Sequence, residues 1–446
     1  MSADSRTIAA RLSTFDTAMV VFSLVVGIGI FRTPAIVAGA AGDTTLFYLA
    51  WILGGLISLV GAFTFAEVGA RYPRAGGFYR VVADCYHPTF AFMLNWAQAL
   101  MQGASAAGVA YIGADYIAPV LLPKALQTPE GTRALALATM LVLLALNYRG
   151  IRSGARTQNV LSALKIAMML GLAACALWLA PAASAPEPVA TTPWLGRLSS
   201  ALVPCFYAYG GYQLTMNLGA DLKDAPKRFP FAIAGGMVTV VALYLLLNFT
   251  YQRVLGTSGV AASKLVAAAL SHATFGPYGE VAVSIAVFFS ATGFVNAMIL
   301  QMPRTFYAMA EDGVLPRAFL TVNPKNQVQA VALLFSGATM LVPAFLLGSF
   351  EKLLNYVMFT DALTLAVVAS TLFVLRRRHV GDGGFAMRGY PVLPAIYFVC
   401  LLGVALRVLV TEPRLAAAGI AILLTGWPLF RLSRAVIGRN RASDGR

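Results

Sequence analysis

Residues 19–41 form an apolar segment that is long enough to cross a bilayer but is interrupted near its centre. The segment reads MVVFSLVVGIGIFRTPAIVAGAA and contains Gly27, Gly29 and Pro34. Glycine and proline weaken the helical hydrogen-bond ladder, and hydrocarbon offers no partners to the freed backbone groups. Such a break is tolerated where the backbone is buried in protein or lines a cavity. The segment therefore predicts a discontinuous membrane helix whose freed N–H and C=O groups bind a ligand.

The composition places the chain in a membrane. Of its 446 residues, 59% are hydrophobic and 11% are charged, and the mean hydropathy is +0.74. Soluble domains carry roughly 25% charged residues, and a spanning helix needs about 20 apolar residues. We therefore predict an all-α membrane protein, with residues 1–446 as a single transmembrane domain. The twelve predicted spans are 17–41, 45–69, 88–117, 133–148, 158–180, 197–221, 230–254, 278–303, 328–348, 352–375, 391–410 and 414–432.

The net charge of +15 follows the predicted topology. With twelve spans and the N-terminus inside, most of the 33 Lys and Arg residues fall on the cytoplasmic side, as the positive-inside rule requires. We expect a multi-pass protein of the cytoplasmic (inner) membrane, with both termini in the cytoplasm and no nucleic acid partner. The first apolar stretch is too long for a secretory signal peptide.

The twelve predicted spans divide into two halves and a pair of C-terminal helices. A second apolar segment is interrupted at Gly210 and Gly211, so each half of five spans opens with a broken span. Because five is odd, the halves must have inverted topology, as in the broken-helix transporters. Repeat one covers about 14–180 and repeat two about 196–378, and the two remaining helices cover about 388–435.

Two segments between the spans have recognisable patterns. The sequence SKLVAAALSHATFG, after the seventh span, predicts a short helix that lies over the site. Residues 181–193 are rich in proline and alanine and predict an outer linker.

The first break suits the head group of an amino acid. A half-helix that begins after Gly29 presents free N–H groups and the positive end of its dipole, which attract a carboxylate. A half-helix that ends near Val26 presents carbonyl groups for an ammonium. Close helix packing through small residues is the alternative explanation. Before the second break, Phe206 and Tyr207 can close over a ligand, or they form an aromatic packing face.

The sequence resembles the amino acid–polyamine–organocation family, whose members have the leucine-transporter-like fold. Its motifs GIGIF-x-x-P (GIGIFRTP here), FAEVGARYPRAGGFY, FYAYGGY with DLKDAPKRFP, and RTFYAMAEDGVLP occur in the family's order along the first ten spans. The resemblance implies an amino acid transporter in which helices 1 and 6 are discontinuous. Ile28 stands where many relatives have a serine. The substrate-binding residues that the resemblance implies are Gly27, Ile28 and Gly29 in the first break and Phe206, Tyr207, Tyr209 and Gly210 in the second.

Lys165 is a charged residue inside the fifth predicted span. A charge at that depth costs roughly 2.5–3.5 kcal/mol, so it is a functional candidate, and snorkelling to the surface is the alternative. The resemblance implies the sodium-independent type, in which a lysine on helix 5 replaces sodium. That lysine bridges broken helix 1 and the middle of helix 8, here Ser290 and Thr292, and its protonation offers a route to proton coupling. Tyr244 matches a helix-7 tyrosine near the site of such relatives.

The function predicted from these features is secondary active transport. The sequence contains no catalytic constellation, phosphate-binding loop or metal-ligand spacing, so we expect no enzyme activity, cofactor or metal. The segment around the second break has no acidic side chain beside the presumed pocket, which favours neutral L-amino acids moved by proton coupling or exchange. Cationic amino acids or polyamines, which need a fixed anion, are the alternative, and the oligomeric state is not specified. We expect Asp361 to make a helix contact rather than carry a proton, and Glu67 to pair with nearby arginines.

Overall fold

The regular structure of the chain is helical. The computed structural model describes residues 8–183, 193–263, 265–346, 351–381, 384–411 and 413–443. Apart from two isolated β-bridges, the regular elements of these residues are helices, which confirms the prediction of an all-α protein. The α-helices are α1 (Thr14–Val25), α2 (Gly29–Ala41), α3 (Thr44–Arg71), α4 (Gly77–Cys85), α5 (Pro88–Leu121), α6 (Pro129–Tyr148), α7 (Ile151–Leu179), α8 (Trp194–Ala208), α9 (Ala225–Ala262), α10 (Val266–Phe275), α11 (Gly279–Glu311), α12 (Ala330–Leu346), α13 (Glu351–Arg377), α14 (Val392–Thr411) and α15 (Pro413–Ser443).

Eight helical segments in the described ranges are long and apolar enough to cross a membrane. The bent pair α1–α2 makes a ninth if it is counted as one span. After α8 the chain continues as short 3₁₀ turns at Tyr212–Asn217 and Gly219–Asp221 rather than as a second half-helix. The end of the predicted span 328–348 lies outside the described residues, and most of the predicted linker 181–193 also lies outside them. The count of twelve spans therefore stays a prediction.

Local capping chemistry sets the ends of the first helices. Ser13 and Asp16 form a reciprocal capping box at the start of α1. α2 ends at Ala41 and is followed by Gly42, which has a left-handed φ of 69°. Asp43 accepts a hydrogen bond from the Leu46 amide in the first turn of α3 at 2.7 Å. By contrast, Ile28 at the start of α2 provides no side-chain cap. The break between α1 and α2 is thus the one junction in this run that the local sequence leaves uncapped.

The site-bearing helices share one core. α11 packs along α5 and α7, and α9 packs along α1 and α3. The predicted short helix is present as α10 and packs against α2, α7 and α11. Polar contacts cross the same core: the buried carboxylate of Glu67 binds Arg71 and Arg376, each at 2.7 Å, which confirms its predicted pairing.

Candidate functional site

The first break leaves backbone donors free at the start of α2. Val26 departs from helical geometry (φ −80°, ψ 79°), and the axes of α1 and α2 are bent by 47°. Within the described part of the chain, the amides of Ile28, Gly29 and Ile30 have no hydrogen-bond acceptor. The N-terminus of α2 therefore presents three N–H groups and the positive end of a helix dipole.

The carbonyl groups at the same break are held by two predicted coupling residues. The Lys165 ammonium donates to Val26 O at 2.7 Å, and the Ser290 hydroxyl donates to Gly27 O at 2.8 Å. Lys165 is only 2% exposed. Its Nζ thus faces the carbonyl end of α1, where the helix dipole stabilises a cation.

A glycine on α11 makes room for the lysine. A Cβ built at Gly293 would lie 2.7 Å from Lys165 Cε and 3.0 Å from Lys165 Nζ. The ammonium also donates to the Ser23 hydroxyl at 3.3 Å, and Ser23 is hydrogen-bonded to Ser162 at 2.9 Å. These contacts keep Lys165 inside the bundle, so snorkelling does not account for it.

The other two predicted coupling residues differ in where their hydroxyl groups point. The Tyr244 hydroxyl donates to Val25 O at 3.2 Å, at the end of α1. The Thr292 hydroxyl donates to Phe288 O at 2.8 Å, within its own helix. The structure therefore brings Tyr244 to the first break and does not bring Thr292 to Lys165.

The second break lies directly against the first. α8 ends with Gly210 N donating to Tyr207 O at 3.1 Å, and Gly211 follows with a φ of +117°. A Cβ at Gly211 would lie 2.3 Å from Leu24 O in α1. Only glycine fits here, because both the positive φ and the close approach exclude a side chain.

The predicted aromatic residues of the second break occupy two environments. Phe206 and Tyr207 are half-buried and meet edge to face at 5.9 Å between ring centroids. Tyr209 is fully buried and packs against Trp51 at 5.7 Å and Tyr244 at 5.1 Å. The ring of Tyr209 belongs to the core, so a ligand can meet this residue only through its backbone.

The glycines of the first break are not required by packing. A Cβ at Gly27 would meet nothing closer than the Phe294 ring at 3.5 Å. A Cβ at Gly29 would lie 3.7 Å from Thr33 Oγ1 and 4.0 Å from Ala208 Cα. These are ordinary contact distances, so close helix packing does not explain the two glycines. They also show that the start of α2 faces the C-terminal end of α8.

A row of polar side chains runs beside the second break. Gln98 donates to Asp361 at 2.9 Å, Gln301 donates to Gln102 at 2.8 Å, and Asn217 donates to Gln301 at 2.6 Å. The Gln98 contact confirms that Asp361 joins two helices. The i, i+4 spacing of Gln98 and Gln102 places both on one face of a helix, but their pairing with Asp361 and Gln301 joins residues far apart in the sequence.

These features together define a class of protein. The positive end of α2 and the negative end of α8 meet inside a bundle of apolar helices, as in the substrate sites of secondary transporters with broken helices. Residues 12–430 match the family model of the amino acid permeases, and the chain belongs to that family. It is therefore an amino acid transporter and not an enzyme.

Three relatives align over nearly the whole chain. Serine/threonine exchanger SteT of Bacillus subtilis (strain 168) is 26% identical over 424 residues, covering 92% of this chain and 93% of that protein. Large neutral amino acids transporter small subunit 2 of Mus musculus is 28% identical over 418 residues, covering 92% and 78%. Asc-type amino acid transporter 1 of Homo sapiens is 25% identical over 443 residues, covering 95% and 82%. All three are similar to this chain along most of its length.

Proposed function

We propose that the chain moves neutral L-amino acids across the cytoplasmic membrane by alternating access, independently of sodium, by exchange or proton coupling. The observation that carries the proposal is the junction of two oppositely polarised helix ends, at Gly29 and Ala208. A helix terminus carries roughly half an elementary charge, positive at the N-terminus and negative at the C-terminus. A zwitterionic amino acid offers one group to each end.

The two halves of the head group have separate partners. The free amides of Ile28, Gly29 and Ile30 suit the carboxylate. The carbonyl groups of Val26 and Gly27 are paired with protein side chains. We therefore assign the ammonium to carbonyls at the second break, in the last turn of α8, rather than to those at the end of α1.

The names of the relatives support neutral substrates and exchange. One is a serine/threonine exchanger, and another is a transporter of large neutral amino acids. Phe206 and Tyr207 are half-buried beside the head-group site and are our candidates for the gating aromatic residue.

Lys165 supports sodium independence, because its ammonium binds the backbone and hydroxyl oxygens that a cation would otherwise bind. We expect wild-type uptake to be unchanged when sodium is replaced by choline. Lys165→Ala should lower uptake at least about tenfold, since a hydrogen bond to a charged group contributes roughly 1.5–3 kcal/mol. Lys227→Ala, at an exposed position, is the matched control. If Lys165→Ala transported at the wild-type rate, the proposal that Lys165 replaces sodium would be wrong.

We also propose the topology of twelve helices in a 5+5 inverted repeat, with both termini in the cytoplasm. The bent pair α1–α2 and the interrupted α8 support discontinuous helices 1 and 6, and the distribution of basic residues supports the orientation. Single cysteines at Glu130 and Asp224, both exposed, test it in a background without native cysteines. A membrane-impermeant maleimide should label Glu130→Cys in intact cells and Asp224→Cys only after permeabilisation. The reverse pattern would contradict the orientation.

Radiolabelled uptake into proteoliposomes tests the transport cycle. Sodium, the pH gradient and the internal amino acid should be varied one at a time. Exchange predicts uptake that depends on internal amino acid, whereas proton coupling predicts uptake driven by an inside-alkaline gradient. A membrane sensor on the same fold would bind the amino acid and show no flux under any of these conditions.

Asp361 favours a second candidate, transport of cationic amino acids or polyamines. Its carboxylate is hydrogen-bonded to Gln98, and no ion pair involves it among the described residues. A half-buried carboxylate without a cation favours a positively charged ligand. Competition of alanine uptake by leucine, arginine and putrescine separates the candidates: arginine or putrescine should compete only if the second candidate holds.

A further inference from the structure

Tyr397 lies outside the two proposed repeats but contacts the second break. It belongs to α14 and is 1% exposed. Its ring packs against Phe206 at 6.3 Å between ring centroids, and its hydroxyl forms a hydrogen bond with the Tyr212 hydroxyl at 2.9 Å. Phe206 precedes the glycines of the break, and Tyr212 follows them. One side chain of α14 therefore contacts the chain on both sides of the break.

A face of α3 leaves space for the two tyrosines. A Cβ built at Gly61 would lie 2.5 Å from Tyr397 Cζ and closer still to the Tyr212 hydroxyl, so a side chain there would displace the pair. Phe65 lies four residues later and thus on the same face of the helix. Its ring meets the rings of Tyr212 and Tyr397 edge to face, each at 6.1 Å. The position of both tyrosines is therefore fixed by a second helix.

Packing alone does not require hydroxyl groups at these two positions. Phenylalanine fills the same space without a polar atom, whereas a buried hydroxyl lowers stability unless it is hydrogen-bonded. Tyr212 is 2% exposed, and among the described residues each of the two hydroxyls has the other as its hydrogen-bond partner. The pair is therefore a specific link between α14 and the segment that follows the break.

This link acts on the part of the site that α8 provides. The last turn of α8 carries the carbonyls that we assign to the ammonium, and Phe206 lies in the same turn. Tyr397 contacts the Phe206 ring directly and restrains the chain beyond the break through Tyr212. Tyr397 thus determines how the Phe206 ring is oriented, whereas the head-group amides of α2 are set at the first break.

We propose that Tyr397 is a positioning residue of the transport site, through which α14 holds the Phe206 ring against the side chain of the bound amino acid. The inference rests on the proposed function, in which Phe206 is a candidate for the gating aromatic residue. A large substrate side chain contacts such a ring more extensively than a small one. Loss of the Tyr397 hydroxyl should therefore weaken transport of leucine more than transport of alanine.

Uptake of alanine and leucine by the full-length protein in proteoliposomes tests the proposal. Tyr397→Phe keeps the ring and removes one neutral hydrogen bond, so the KM for leucine should rise about fivefold. The KM for alanine should stay within about twofold of the wild type, and the maximal rates should be unchanged. Tyr86→Phe is the matched control, because it removes a hydrogen bond between the Tyr86 and Ser370 hydroxyls (2.6 Å) at an exposed position after α4. It should leave both KM values unchanged.

Variants of the two partners of Tyr397 test the same link from the other side. Tyr212→Phe should raise the KM for leucine as much as Tyr397→Phe does. The double variant Tyr212→Phe/Tyr397→Phe should lose no more than either single variant, because it leaves no buried hydroxyl unpaired. In Phe206→Leu, which lacks the ring, adding Tyr397→Phe should not change the ratio of the two KM values further.

Three results would overturn the proposal. The first is an equal rise of KM for alanine and leucine, which would show a general loss of stability rather than a role in orienting the ring. The second is a wild-type KM for leucine in both single variants, and the third is a double variant in which the two losses multiply. A failure of the proposed function is distinguishable, because the wild type itself would then take up neither amino acid.

Discussion

The two helix breaks differ in what their glycines do. At the second break, Gly211 is fixed by the protein's own backbone, because a Cβ would lie 2.3 Å from Leu24 O. At the first break, the nearest atoms to a Cβ lie at 3.5 Å for Gly27 and 3.7 Å for Gly29. The glycine of the second break therefore allows α8 to pack closely against α1. The glycines of the first break instead leave the backbone of α2 accessible to a ligand.

Gly211→Ala should have the largest effect. The φ of +117° and the contact with α1 both oppose a methyl group, so we expect most of the folded protein to be lost. The yield of monodisperse protein and its Tm measure this. Gly235→Ala, where no heavy atom lies within 4 Å of the added Cβ, should behave like the wild type. An unchanged Tm for Gly211→Ala would show that the second break is not held by α1.

Gly27→Ala and Gly29→Ala should fold normally and lose substrate affinity. The added methyl groups meet only ordinary contacts within the protein, but they obstruct the backbone amides that we assign to the carboxylate. We expect an unchanged Tm and a KM for uptake that rises about tenfold or more, equivalent to about 1.4 kcal/mol. Gly39→Ala, also in α2 and without neighbours within 4 Å, should leave both values unchanged. A lowered Tm with an unchanged KM would instead show that the two glycines are required for close helix packing.

Ser290→Ala and Thr292→Ala should separate a residue that holds the first break from its neighbour. Ser290 donates to Gly27 O in the broken segment, whereas Thr292 donates within α11. Loss of one neutral hydrogen bond costs about 1 kcal/mol, so Ser290→Ala should reduce uptake about fivefold. Thr292→Ala should remain within about twofold of the wild type. If both variants lost the same fraction of uptake, Thr292 would have to be counted among the coupling residues.

Features set by adjacent residues could be predicted from the sequence. The glycines of both breaks interrupt apolar runs, and Lys165 is conspicuous as a charge within such a run. The short helix α10 is also visible, because its residues favour helix and are bounded by Ser263 and Gly276. In each case the physical cause is a backbone preference or a solvation cost that belongs to a few neighbouring positions.

Features set by distant partners could not be predicted in the same way. The Thr292 hydroxyl can form a hydrogen bond within its own helix or with Lys165. In the structure it donates to Phe288 O of α11, and this outcome depends on how α11 packs. The ion pair of Arg304 with Asp221, at 3.0 Å, joins residues far apart in the sequence. After α8 the chain continues as 3₁₀ turns, and Gly211 lies against Leu24 of α1; this contact between distant segments is not visible in a local pattern.

Asp221 has a consequence for how the movements of this transporter can be dissected. Its carboxylate holds Arg304 of α11, whereas its backbone oxygen accepts the amides of Arg11 and Leu12, each at 2.8 Å. Substitution of the side chain releases α11 and leaves the N-terminal segment attached. The two contacts can thus be removed separately: the ion pair by replacing the Asp221 side chain, and the backbone contact by removing both donor amides, with prolines at Arg11 and Leu12. Uptake by the two kinds of variant then measures which contact of Asp221 the transport cycle requires.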